Sequence, residues 1–96
     1  MNNMEQVRDL VTEYYNSNFF NIMGYYLTNS DKEHVINTGT SILCTKWNVG
    51  YPGGSFVQAV VNNDLMETFS RADNVNAKVI KFYCHLIYNE ITISKG

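Results

Sequence analysis

This sequence is short of most groups that mark catalysis or metal binding. Its two cysteines, Cys44 and Cys84, form no CxxC pair and no disulfide framework. They are expected to be reduced, buried thiols that pack as small hydrophobes. No HExxH and no paired CxxC is present, so no metal site is expected. Basic residues are sparse. Seven lysines and arginines are scattered without a run against nine acids, a net charge of −2. That argues against a general nucleic-acid binder, which relies on clustered cations to displace counterions. No apolar run approaches the ~20 residues that span a bilayer. The opening MNNMEQVRDL is polar and lacks the apolar core of a secretory signal, so a cytoplasmic location is expected.

Catalysis through histidine is not expected either. His34 lies in the first turn of a helix and reads as a surface residue. His85 follows Cys84 directly. Neighbouring helix residues point about 100° apart, so the two do not form a nucleophile–base pair.

What the sequence has is apolar and aromatic mass. Ninety-six residues carry seven tyrosines and five phenylalanines. A chain of this length, expected to be one domain over 1–96, buries only a modest core. Homo-oligomerisation would help it, with some tyrosines at an interface.

The periodicity is helical. Val7, Leu10, Val11, Tyr14 and Tyr15 mark one face of a helix over 4–15, which Asn16-Ser17-Asn18 should end or bend. Residues 19–28 fit a short strand or a helical turn equally. Ser30 and Glu33 form a capping-box pattern. The helix after them has Val35, Ile36, Gly39, Ile42, Leu43 and Trp47 on one face, and Gly39 there suits close approach of another helix. Gly50 is a left-handed stop, followed by Pro52. A third helix runs from Gly54 or Ser55 to about Arg71, with a kink or polar contact at Asn62-Asn63-Asp64. Its stripe is Phe56, Val57, Val60, Val61, Leu65, Met66 and Phe69. Asp73 or Asn74 caps a fourth helix over 75–89, apolar around so much of its circumference that it should be central. The tail, 90–96, alternates and reads as an edge strand or a frayed end. The expected fold is an all-α bundle of about four helices, with irregularity near 19–28 and at the tail.

The chain's one proline and three of its six glycines fall within Gly50-Tyr51-Pro52-Gly53-Gly54. This segment is a tight corner between two helices. It also suits a ligand: Gly53 and Gly54 bare the backbone before a helix start, where unpaired amides and the dipole favour an anion. Ser55 adds a hydroxyl, Tyr51 and Trp47 can stack on a base, and Lys46 and Arg71 bring positive charge. A second polar group comprises Asn63, Asp64, Arg71, Asp73 and Asn76. It either fixes a corner or forms a recognition surface.

From Gly53-Gly54-Ser55-Phe56-Val57-Gln58-Ala59-Val60-Val61-Asn62-Asn63-Asp64-Leu65 through Arg71-Ala72-Asp73, Asn76 and Tyr88-Asn89, the chain resembles a widespread group of short uncharacterised tailed-phage proteins. Their pattern runs Pro-Gly-Gly-Phe, Asn-Asp-Leu, Arg-Ala-Asp, Tyr-Asn. This chain departs from it at Ser55, in a longer N-terminal stretch, and at Ile91-Thr92-Ile93, where a Pro-then-Cys-Trp-Gly ending is usual. The resemblance implies a phage accessory protein made in the host cytoplasm, and by analogy one that blocks host defence. Three readings follow. The first is sequestration, without turnover, of a nucleotide-derived immune signal at Lys46, Trp47, Tyr51, Gly53, Gly54, Ser55, Asn63, Asp64 and Arg71. The second is inhibition of a host defence protein by occupancy. The third, least favoured, is hydrolysis of such a signal.

Overall fold

Asn3 and Gln6 open the first helix reciprocally. The Asn3 side chain accepts from the Gln6 amide (2.8 Å), and the Gln6 side chain accepts from the Asn3 amide (2.9 Å). The structure, a computed structural model, describes residues 3–95. Among them are seven helices and no strand: α1 (Met4–Met23), α2 (Asn29–Lys46), α3 (Ser55–Val61), α4 (Leu65–Arg71), α5 (Asn74–Lys78), α6 (Ile80–Tyr88) and α7 (Glu90–Lys95). The all-α class is as expected; the count exceeds four because two expected helices are each broken once and the tail is helical.

α1 does not end at Asn16-Ser17-Asn18. Val7, Val11, Tyr15 and Phe19 form one buried row at four-residue spacing, and Phe19 is 2% exposed. Burying that phenylalanine contributes about 1.5–3 kcal/mol, enough to offset the up to ~2 kcal/mol by which three weak helix formers oppose the helix. Asn16 and Ser17 face solvent, and the Asn18 side-chain amide donates back to the Tyr14 carbonyl (3.0 Å). Of the readings of 19–28, the strand is therefore corrected: the first part is helical and completes α1, and 24–28 is irregular. Left-handed Gly24 (φ 80°) closes the helix, its N–H donating to the Phe20 carbonyl (2.7 Å).

α2 is capped by Thr28 rather than by Ser30, the Thr28 hydroxyl accepting from the Asp31 amide at 3.2 Å. Glu33 is thereby freed from capping and pairs with Arg8 of α1. Val35, Ile36, Ile42 and Leu43 are buried as expected, and Trp47 is half-buried. A Cβ placed on Gly39 would lie 3.1 Å from both Leu86 and Val11, so this glycine marks where α2 meets α6 and α1.

The helix stop after α2 lies two residues before the expected Gly50. Asn48 takes the left-handed conformation (φ 58°), its N–H donates to the Thr45 carbonyl, and the Val49 N–H donates to the Cys44 carbonyl (2.8 Å). This is a Schellman closure. The same closure recurs at the Asn62-Asn63-Asp64 kink. Asn63 is left-handed (φ 58°), its N–H donates to the Val60 carbonyl (3.1 Å), and the Asp64 N–H donates to the Ala59 carbonyl (2.9 Å). Asp64 then caps α4 by accepting from the Glu67 amide (3.1 Å). The expected kink is a complete helix end and restart.

Asp73 caps α5, accepting from the Asn76 amide at 2.7 Å. Val79 (φ −119°) separates α5 from α6. α6 is central as expected: Phe82, Tyr83 and Leu86 are fully buried, and the helix packs on α1, α2 and α3. Its Phe82 ring joins Tyr14, Tyr15 and Phe19 in an aromatic cluster. Through residue 95 the tail is α7, not a strand or a frayed end, because Ile93 is buried against the core; Gly96 lies outside the described residues. Cys44 is buried, and burial pushes its thiol up; Cys84 is exposed, against expectation, because it faces away from the buried side of α6.

Candidate functional site

The glycine corner is held mainly by its own hydrogen bonds. The Gly53 amide donates to the Thr45 hydroxyl at 2.8 Å, and the Gly53 carbonyl accepts from the Gln58 side chain at 2.7 Å. A Cβ on Gly53 would stand 2.5 Å from the Ser41 hydroxyl and 2.6 Å from Val57, so glycine is there for close packing. Gly54 is different. It is the N-cap of α3, makes no side-chain cap, and a Cβ there would meet nothing within 4 Å. Tyr51 is 92% exposed.

The cations proposed for this site have carboxylate partners. Lys46 lies 3.7 Å from Glu90, and the Trp47 indole N–H donates to the same carboxylate at 2.8 Å. Glu90 thus ties the end of α2 to α7 across 43 residues, a pairing without a sequence signal. Arg71 pairs with Glu67 one turn earlier (2.9 Å). Asn63 and Asp64 serve the helix break described above.

The second polar group divides. Arg71 and Asp64 stay on α4, whereas Asp73 and Asn76 join a network that runs inward. The His34 ring lies 2.9 Å from Asp73, Asp73 accepts from Asn76, and the Asn76 side-chain carbonyl accepts from the Tyr83 hydroxyl at 2.5 Å. Burial pulls the Asp73 carboxyl upward, but the Asn76 amide and the His34 ring outweigh it and hold the carboxyl below its ordinary value. Burial, reinforced by the Asp73 charge, pushes the Tyr83 phenol far above its ordinary range, against a smaller opposite effect of a Thr38 hydrogen bond. The Asp73-x-x-Asn76 part of the phage-protein pattern therefore has a structural task here: it caps α5 and satisfies a buried tyrosine.

No protein-family model, curated protein or solved structure matches this chain. The phage-protein resemblance accordingly rests on its motif alone.

Three cavities are lined by other residues than those of the corner. One, about 480 Å³, lies between α1, α6 and α7. A second, about 420 Å³, opens where α1 turns into α2. Its wall includes the Phe20–Tyr26 pair, stacked with centroids 4.6 Å apart, together with Asn16, Asn21, Asn29 and Lys32. The Lys32 ammonium stands 5.5 Å from the Tyr15 ring centroid. A third, about 400 Å³, lies between α1 and α2 beside Arg8, which Glu33 and Asn37 already engage. Among the described residues no three His, Cys, Asp or Glu side chains gather as a metal site, and no helix is long and apolar enough to cross a membrane.

The feature with the least internal explanation is α4. Thr68 is its one buried residue. Leu65 is 65%, Met66 81% and Phe69 56% exposed. Leu65 and Phe69 are one turn apart with Met66 beside them, so they share a face. The sequence places these residues on a core stripe. The break at Asn63 turns α4 so that the stripe's second half faces solvent.

Proposed function

We propose that this protein acts by occupancy, binding a host protein through the exposed face of α4. The observation that carries this reading is the contiguous Leu65-Met66-Phe69 surface, bordered by Asp64 and the Glu67–Arg71 pair. Large exposed apolar residues with a polar rim are characteristic of protein interaction sites. A short amphipathic helix that lays such a face into a partner's apolar groove is a common recognition mode. An origin in phage and a target in host defence come from the motif resemblance and are part of the proposal.

A photo-crosslinking residue at position 66 tests it, with the same residue at exposed position 81 as control. Expected is one dominant polypeptide adduct from position 66 in a defence-positive host, absent from position 81. Equal labelling from both positions would contradict the reading. An adduct of twice the chain's own mass would instead place a second copy on α4.

Sequestration of a nucleotide-like signal is the second reading, and the α1–α2 cavity favours it over the glycine corner. Phe20 and Tyr26 offer an aromatic platform, Lys32 a positive charge, and three asparagines groups able to read a base edge. At the corner, the Gly53 amide, Lys46 and Arg71 already have partners. Calorimetry with cyclic nucleotides, comparing Tyr26→Ala with Tyr51→Ala, separates the two locations: loss only in Tyr26→Ala is expected for the cavity.

A further inference from the structure

The 480 Å³ cleft between α1, α6 and α7 has an unusual hydrogen-bonding character. Its apolar wall comprises Leu10, Ile22 and Ile93. Its polar lining is Glu13, Tyr14, Asn18, His85, Asn89 and Thr92, and each asparagine spends N–H donors within the chain. Asn18 donates to the Tyr14 carbonyl (3.0 Å). Asn89 donates to the His85 carbonyl (2.8 Å) and to the Tyr14 hydroxyl (3.2 Å). Each amide retains its oxygen, an acceptor, and Asn18 also keeps one N–H. Glu13 adds a carboxylate that, among the described residues, forms no salt bridge, and no lysine or arginine lines the cleft.

We propose that this cleft binds a small organic ammonium ion with an apolar body. An ammonium is all donor and no acceptor, the complement of two free amide oxygens and a carboxylate. Phosphates and carboxylates fit less well, since they would meet Glu13 with no lysine or arginine in the lining to offset it, only the ring of His85. The apolar wall would take the ligand's hydrocarbon part, as small-molecule sites usually do. Tyr14 contributes position: burial pushes its phenol up, partly offset by the Asn89 hydrogen bond, so the hydroxyl keeps its proton and holds Asn89 in place. This site is separate from the α4 surface and from the α1–α2 cavity.

The test uses the full chain, labelled with nitrogen-15, and three probes of one shape: phenethylamine, phenethyl alcohol and phenylacetate. Expected are amide shifts confined to α1, the end of α6 and α7 with phenethylamine, and affinities at least tenfold weaker for the alcohol and the acid. Glu13→Gln, an exposed change, should weaken phenethylamine about tenfold, whereas Glu5→Gln on the same helix should not. Binding of phenylacetate as tight as that of the amine, no saturable shift with the amine, or indifference to Glu13→Gln would each overturn the proposal.

Discussion

The Tyr83 hydroxyl donates to the Asn76 side chain at 2.5 Å, joining α5 to the fully buried centre of α6 across the break at Val79. Neither group has access to much water, since Asn76 is 6% and Tyr83 0% exposed. Satisfying both at once lets a polar residue sit against the core.

Asn76→Ala should therefore destabilise the chain by about 1–3 kcal/mol, the usual penalty for stranding a buried hydroxyl. Tyr83→Phe alone should cost about 1 kcal/mol, and the double variant should cost less than the sum of the two. Urea denaturation of the three variants measures this. Additive losses would mean that the bond contributes nothing.

Stability should fall at both pH extremes for identifiable reasons. The fold raises the Tyr83 pKa, so its contribution is complete below the ordinary tyrosine value of 10.0 and fades as pH rises beyond it. The fold lowers the Asp73 pKa. Its contribution is present above the ordinary value of 3.8 and is lost as pH falls through the depressed folded value. Thermal unfolding from pH 3 to 11 should show Tyr83→Phe flattening the alkaline limb alone and Asp73→Asn flattening the acid limb alone.

One substitution at neighbouring glycines should have opposite effects. Gly53→Ser forces a Cβ to within 2.6 Å of Val57 and should cost about 1–3 kcal/mol. Gly54→Ser meets open space at an N-cap and should be neutral or stabilising by a few tenths of a kcal/mol. Melting temperatures of the two variants decide it. Equal destabilisation would show that the corner is packed alike at both positions.

Local patterns carried much of the fold. The α2 core face, the cap at Asp73 and the central place of α6 follow from spacing and side-chain chemistry within a few residues. What could not be read depends on distant partners. α1 passes through Asn16-Ser17-Asn18 because Phe19 meets Phe82, with centroids 5.2 Å apart, from the far end of the chain. α7 forms because Ile93 has a core to enter. The capping-box pattern pointed to Ser30, whereas the helix starts two residues earlier with Thr28 as its cap. The candidate site was less legible. Gly53 reads as bare backbone until Thr45 is seen to accept its amide, and Lys46 and Arg71 read as free until Glu90 and Glu67 are placed. The Leu65-Met66-Phe69 stripe was visible, but periodicity does not say whether a stripe faces a core or a partner.

Purification from a defence-positive host tests the central proposal most directly. Wild type and Met66→Lys would be isolated, and each preparation divided for analysis of co-eluting polypeptides and of small molecules released on denaturation. Expected is a host polypeptide at fixed stoichiometry with wild type, lost in Met66→Lys, whose fold should be unchanged because that side chain is exposed. Release of an ultraviolet-absorbing nucleotide from both proteins, with no co-eluting polypeptide, would contradict binding through α4 and favour sequestration.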